Sequence, residues 1–148
     1  MQLDLLLVVL LWMNAIWFAL GFHLFSLRGV VFAKTLVAKP HRDSSAFAVL
    51  VASGRFLGGF NAALCVLSVL LALQPQWFPE PQQRMVLCLF FALAHGSQFG
   101  CNVPIAWANR TGGGVWQVRS TMRLIFVVDG ALMLANAVAA WGFAVGMN

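Results

Sequence analysis

Four long apolar stretches constrain this chain more than any other feature of its sequence. They cover about residues 3–27, 46–73, 85–108 and 124–146. A helix needs roughly 20 mostly apolar residues to cross about 30 Å of hydrocarbon, and each stretch supplies them. Each is also too continuous for a membrane β-strand, which alternates over about ten residues. The sequence therefore predicts an all-α, polytopic integral membrane protein built as a bundle of four transmembrane helices.

The composition excludes the soluble alternatives. Of the 148 residues, 61% are hydrophobic and only 9% carry a charge, whereas about 25% are charged in a typical soluble domain. So few charges cannot cover the surface of a soluble enzyme. Disorder is excluded because it requires low hydrophobicity. We expect a single transmembrane domain over residues 1–148.

The basic residues predict how the bundle is oriented. Loops 28–45 and 109–123 hold seven of the nine lysines and arginines, whereas the opposite side holds only Arg84, with Asp4 and Glu80. The seven are Arg28, Lys34, Lys39, Arg42, Arg110, Arg119 and Arg123. The positive-inside rule places these loops in the cytoplasm and both termini on the outer side, in a bacterial inner membrane. The net charge of +5 then reflects topology, and nucleic acid is not expected as a partner.

Small residues at four-residue spacing mark the predicted helix contacts. Such spacing places residues on one stripe of a helix, where they let backbones approach closely. The stripes are Gly54, Gly58 and Ala62; Ala92, Gly96 and Gly100; and Gly142 with Gly146. Because a short loop joins the second and third spans, their stripes are expected to face each other. The stripe of the fourth span is the better candidate for a homo-oligomer interface.

Polar residues inside the spans are the most informative feature for function. A membrane-embedded Asp or Arg costs roughly 2.5–3.5 kcal/mol on the insertion scale, so it needs a partner or water. The candidates are Asn14, Arg55, Asn61, His95, Gln98, Asn102, Asp129 and Asn136. We interpret them as an intramembrane polar cluster.

The depths of four of these residues agree. At 1.5 Å per residue, Arg55, Gln98, Asn102 and Asp129 lie in one layer, roughly 9–15 Å below the inner surface. This agreement predicts a polar pocket in the cytoplasmic half of the bundle, with Arg55 and Asp129 as its ion pair. Two interpretations stay open: the pair fixes helix register, or the pocket binds a ligand, lipid headgroup, ion or proton.

No motif assigns a cofactor. His23 and His95 differ in depth by about 14 Å and cannot sandwich one haem. The run Gly112–Gly113–Gly114 lacks the Lys-Ser/Thr of a phosphate loop. Haem and nucleotide are therefore disfavoured, no metal site is assigned, and the cofactor stays unknown.

Three functions are compatible with these observations. The first is a membrane-complex subunit, scaffold or binder of a lipid-like or small ligand, which we favour over an enzyme. The second is a homo-oligomeric transporter or channel, because four spans are few for a single-chain transporter. The third is a membrane enzyme that acts on a hydrophobic substrate through His95, Asp129 and Arg55. The expected partners are membrane lipids, further copies of the chain or a larger membrane complex.

The orientation is tested by reporters fused after Asn148. Because the basic loops are expected in the cytoplasm, a phosphatase fused there should be active and a fluorescent protein dark. A fluorescent fusion with an inactive phosphatase would contradict the predicted orientation.

Overall fold

The structure is a computed structural model that describes residues 2–114, 116 and 118–146. Its helices are α1 (Gln2–Phe22), α2 (Gly29–Leu36), α3 (Ser45–Leu73), α4 (Pro81–Arg110) and α5 (Thr121–Ala144). A π-helical turn (His23–Leu27) continues α1, and 3₁₀ turns lie at Lys39–His41 and Pro75–Trp77. Over the described residues the fold contains no β-strand, so the predicted all-α class is confirmed.

The four long helices correspond to the four predicted spans. Each is long and apolar enough to cross a membrane, with mean hydropathies of 2.3, 2.2, 1.4 and 1.9 in chain order. A fifth, shorter helix, α2, follows the first span in the segment 29–38. Phe32, Ala33 and Leu36 of α2 are buried against the rest of the chain.

Local capping explains why two of the long helices begin where they do. Ser44 precedes α3, and its side chain accepts a hydrogen bond from the backbone N–H of Phe47 at 3.3 Å. Glu80 precedes α4 and forms a capping box with Gln83, and Pro81 occupies the first turn. Both arrangements satisfy backbone N–H groups that a helix start leaves free.

The helices pack in an order that differs from their order in the chain. α1 lies against α3 and α5, and α4 lies against α5. We call the end of the bundle with α2 and the loops 37–44 and 111–120 the basic end, and the other the termini end. An apolar cluster at the termini end includes Leu11, Phe18, Leu71, Phe91 and Phe143. A second cluster at the basic end comprises Phe25, Phe32, Leu36, Val37, Met122 and Ile125.

The expected contact between the glycine stripes of α3 and α4 is wrong. A Cβ added to Gly58 would lie 2.0 Å from Ser26 Oγ, so the α3 stripe faces the π-helical turn after α1. On α4, Gly96 faces Met133 of α5, and Gly100 has no neighbour within 4 Å among the described residues. The sequence interpretation assumed that a short loop makes α3 and α4 packing partners, whereas the extensive contacts pair α3 with α1 and α4 with α5.

The remaining small residues also pack within the chain. Ala92 is buried, Ala62 is half-buried and Gly142 is buried. Gly146 lies beyond the end of α5 with a φ of 67°. It therefore does not share a helical stripe with Gly142, and the expected stripe at the end of the fourth span is wrong.

The tight approach of α3 to the π-helical turn gives a matched pair of substitutions. Gly58→Ala should lower the free energy of unfolding by about 1–3 kcal/mol, because the added methyl group overlaps Ser26. Gly59→Ala is the control, since no described atom outside its chain neighbours and its own helix backbone lies within 4 Å of its Cβ position. The measurement is denaturant unfolding in mixed micelles. Equal stability of the two variants would contradict the packing of α1 on α3.

Candidate functional site

The structure places the predicted polar residues in different environments. Asn14, His95, Asp129 and Asn136 are fully buried, at 0–1% exposure. Asn61 and Asn102 are also buried, Gln98 is half-buried, and Arg55 is exposed. The sequence predicted a single polar pocket, but the structure separates these residues. One group, which we call the closed network, joins Asn14, Trp17, His95, Asp129 and Asn136 through side-chain hydrogen bonds. Asn61 and Gln98 lie outside this network, and Arg55 is exposed.

The centre of the closed network is a contact between α4 and α5. His95 Nδ1 lies 3.1 Å from Asp129 Oδ1, and both side chains are fully buried. Trp17 of α1 donates its indole N–H to the same oxygen at 2.8 Å. Phe18 stacks on the His95 ring, with centroids 4.9 Å apart and an interplanar angle of 9°.

A pair of amides extends the network from α1 to α5. Asn14 Nδ2 donates to Asn136 Oδ1, and Asn136 Nδ2 donates to Asn14 Oδ1, each at 3.2 Å. Asn136 Nδ2 also donates to the carbonyl of Leu132 at 2.8 Å. His95 Nε2 lies 3.0 Å from Asn14 Oδ1, so one imidazole connects the amide pair to the carboxylate.

Hydrogen-bond directions fix the protons of this network. Because Asn136 donates to the carbonyl of Leu132, its oxygen is the atom that accepts from Asn14. Asn14 Oδ1 then faces His95 Nε2, which must carry a proton to donate to it. Between His95 Nδ1 and Asp129 Oδ1 a further proton is required, since two lone pairs would otherwise face each other. The pair is then net neutral, whichever atom holds that proton, as a low-dielectric interior favours.

The predicted Arg55–Asp129 ion pair is wrong. Among the described residues, Asp129 Oδ1 contacts Trp17 and His95, and Asp129 Oδ2 is buried without a hydrogen-bond partner. Arg55 is exposed on α3, and its backbone carbonyl accepts from Ser26 Oγ at 3.2 Å. A long arginine side chain can extend toward water, which avoids the cost of burying a guanidinium. His95 and Trp17, and not Arg55, are the partners of Asp129.

Sequence reasoning identified Asp129 but missed Trp17 as its partner. Trp17 shares a helix face with Asn14, three residues earlier, and indole N–H groups usually find an acceptor when buried. That spacing was the signal that could have assigned Trp17 to the network.

The closed network has little capacity for acid–base chemistry on a substrate. Both ring nitrogens of His95 are engaged, and the ring is covered by Phe18. A general base must reach the proton that it removes, at about 2.6–3.2 Å. The network instead connects α1, α4 and α5 through hydrogen bonds between buried side chains.

A cavity of about 180 Å³ lies beside this network, toward the basic end. It is partly open and is lined by residues of all four long helices, and we call it the Asn61 cavity. Six of its lining residues are Trp17, Gly21, Leu24, Asn61, Gln98 and Ile125. Trp17 is common to the cavity and to the closed network.

The two amides of the Asn61 cavity have unused hydrogen-bonding capacity. Asn61 Nδ2 donates to the carbonyl of Leu57 at 2.8 Å. Over the part of the chain that the structure describes, Asn61 Oδ1 has no hydrogen-bond donor and the Gln98 side chain has no hydrogen-bond partner. Asn61 Oδ1 packs on Gly21, where a Cβ would lie only 2.4 Å from it. A glycine at position 21 therefore leaves room for the Asn61 side chain.

A second opening lies between α3 and α4. This α3–α4 groove has a volume of about 270 Å³ and is lined by Leu57, Cys101 and Asn102 among others. Asn102 donates to the backbone carbonyl of Gln98 at 2.9 Å, and its side chain is thus bound within α4. Gln98 lines both the groove and the Asn61 cavity, so it forms part of the wall between them.

The residues that the structure describes contain no group of three or more His, Cys, Asp or Glu side chains placed to hold a metal ion. His23 lines the Asn61 cavity and is exposed, whereas His95 lies within the closed network.

No known protein family, curated protein or solved structure matches the chain. Any functional conclusion therefore depends on the geometry of the site.

The role of Trp17 is tested by comparison with Trp12, which lies on the exposed side of the same helix. Trp17→Phe removes the donor to Asp129 and should lower the free energy of unfolding by about 1–3 kcal/mol, because a buried acceptor then loses a hydrogen bond. Trp12→Phe removes the same atoms from an exposed position and should change the free energy of unfolding by under about 0.5 kcal/mol. Unfolding in mixed micelles measures both, and equal losses would contradict the closed network.

Proposed function

We propose that the chain is an integral membrane protein that binds a small, lipid-soluble ligand in the Asn61 cavity. The observation that carries this proposal is the pair of amides, Asn61 and Gln98, which line a largely apolar cavity. Asn61 Oδ1 and the Gln98 side chain have no hydrogen-bond partner among the described residues, whereas Asn61 Nδ2 donates within its own helix. A ligand with one polar group and an apolar body would complement such a lining.

Polar groups held away from water cost free energy unless they find hydrogen-bond partners. A buried polar group without a partner costs about 1–3 kcal/mol. The closed network avoids this cost for most of its polar atoms, because Asn14, His95 and Asn136 bind one another. Asn61 Oδ1 and the half-buried Gln98 side chain have no such protein partners among the described residues. A ligand in the cavity would supply hydrogen bonds that the chain itself does not.

The size of the cavity bounds the ligand. An engineered apolar protein cavity of about 150 Å³ holds benzene, so a cavity of about 180 Å³ accommodates a group of about one ring. A larger lipid-like molecule would place its polar end here and extend its apolar remainder toward the bilayer.

In this proposal the basic end faces the cytoplasm of a bacterial inner membrane. The excess of Lys and Arg in loops 28–45 and 109–123 supports this orientation. The same loops would attract anionic lipid headgroups by about 1 kcal/mol per charge. The polar pocket of the cytoplasmic half, first expected around Arg55 and Asp129, is then the Asn61 cavity.

The other two functions receive less support. An enzyme acting through His95 and Asp129 would need these groups to be accessible, but His95 is enclosed by Asn14, Asp129 and Phe18. A transporter formed between copies would need Asp129 on an outer face, but this residue is fully buried inside one chain. A subunit or scaffold role in a larger complex is compatible with ligand binding, and we retain it as part of the proposal.

The proposal is tested on the chain purified from bacterial membranes in mild detergent, by native mass spectrometry with fragmentation of any bound molecule. The wild-type chain should carry a small lipid-soluble molecule. Asn61→Leu with Gln98→Leu should lower its occupancy at least tenfold, because each lost hydrogen bond is worth about 1 kcal/mol or more.

Ser97→Ala is the matched control, because Ser97 adjoins Gln98 in sequence but bonds the carbonyl of Ala94 and is exposed. This variant should retain the ligand. A wild-type chain without any bound molecule, or equal occupancy in the double variant and the control, would contradict the proposed site.

A further inference from the structure

The orientation of the Asn61 amide defines which chemistry the cavity can recognise. Its Nδ2 donates to the carbonyl of Leu57, four residues earlier on α3, at 2.8 Å. A rotation of the amide by 180° would place Oδ1 against that carbonyl, and two acceptors would then repel each other. The nitrogen is therefore held by the helix, and the oxygen is the atom left without a donor.

From this orientation we infer that the ligand carries a hydroxyl group, which donates a hydrogen bond to Asn61 Oδ1. This inference deepens the proposed function and rests on it. A ketone, ether or ester oxygen has no proton to donate, so it would leave Asn61 Oδ1 unpaired and repelled by a second acceptor. The cavity should thus prefer an alcohol or phenol over an analogue of equal shape that lacks the O–H.

Gln98 completes the recognition of a hydroxyl. Its side-chain amide lines the same cavity and has both a donor and an acceptor available over the described part of the chain. A hydroxyl oxygen can accept from the Gln98 N–H while its proton points to Asn61. Trp17 cannot replace either residue, because its only N–H is already donated to Asp129.

Specificity for a hydroxyl follows from the cost of leaving buried partners unpaired. A site built to bond a substrate O–H rejects an analogue without it, because its own polar groups are then left without partners. In a bilayer the hydroxyl group also gains free energy on binding, since few other hydrogen-bond partners exist at that depth. Phenols and aliphatic alcohols share this chemistry, and the two sources are separated by using a probe pair of each kind.

The experiment uses the fluorescence of Trp17, which borders the cavity. A variant with Trp17 as its only tryptophan replaces Trp12, Trp77, Trp107, Trp116 and Trp141 by phenylalanine. In nanodiscs, quenching of this tryptophan is titrated with 4-bromophenol against 4-bromotoluene, and with 6-bromohexan-1-ol against 1-bromoheptane. The quenching by each probe is compared at equal concentrations of that probe in the bilayer. The variant Leu24→Phe, whose larger side chain fills the cavity, measures the quenching by probe molecules that are dissolved in the lipid and not bound in the cavity.

We expect at least one hydroxyl probe to bind about tenfold more tightly than its methyl counterpart, and Asn61→Leu to remove that preference while Ser97→Ala keeps it. Preference within the phenol pair alone assigns an aromatic ligand, and preference within the aliphatic pair alone assigns a fatty or isoprenoid alcohol. Equal binding within both pairs would overturn the hydroxyl inference and leave the cavity as a binding site. Quenching by every probe no greater than the Leu24→Phe background would overturn the cavity itself. If Asn61→Leu does not fold, the comparison of probes on the Trp17-only chain decides the question.

Discussion

A charged or polar group inside an apolar bundle must find its partners within the bundle, and the contact between His95 and Asp129 is where this chain meets that constraint. Trp17 adds a donor from α1, and Asn14 connects the imidazole to Asn136. Three helices are thereby held at one depth and one rotation. Apolar side chains alone specify such positions less strictly, because they can slide past one another at little cost.

The proposed ligand site lies beside the closed network and not inside it. Most polar groups of the network bind one another, and Asp129 Oδ2, which has no hydrogen-bond partner among the described residues, is fully buried. Asn61 and Gln98 line a cavity instead. Trp17 connects the two regions, since it borders the Asn61 cavity and donates to Asp129. The π-helical turn His23–Leu27 lies beside the same cavity, and such irregular turns are frequent at functional sites. α1 therefore contributes residues both to the closed network and to the lining of the Asn61 cavity.

The sequence predicted the four long helices well, because length and hydropathy are local properties. It also identified the polar residues of the site, because such residues are rare in apolar spans. It could not predict their pairing. Arg55 and Asp129 agree in depth, but depth says nothing about which helices are neighbours, and α1 rather than α3 supplies a partner to Asp129. For the same reason, the sequence did not predict the neighbour of Gly58: the expected neighbour was α4, but Gly58 faces Ser26. Helix order within a bundle depends on non-local contacts that a single sequence does not reveal.

The most direct test of the closed network is the exchange of imidazole protons with D₂O, followed by NMR on the bilayer-embedded chain with ¹⁵N-labelled histidine. The chain has three histidines, of which His23 and His41 are exposed and His95 is fully buried. Variants His23→Gln and His41→Gln assign the signals by elimination. We expect the His95 Nε2 proton to be retained long after the protons of the other two rings have exchanged. Exchange of all three rings at the same rate would contradict the buried contacts of His95 with Asn14 and Asp129.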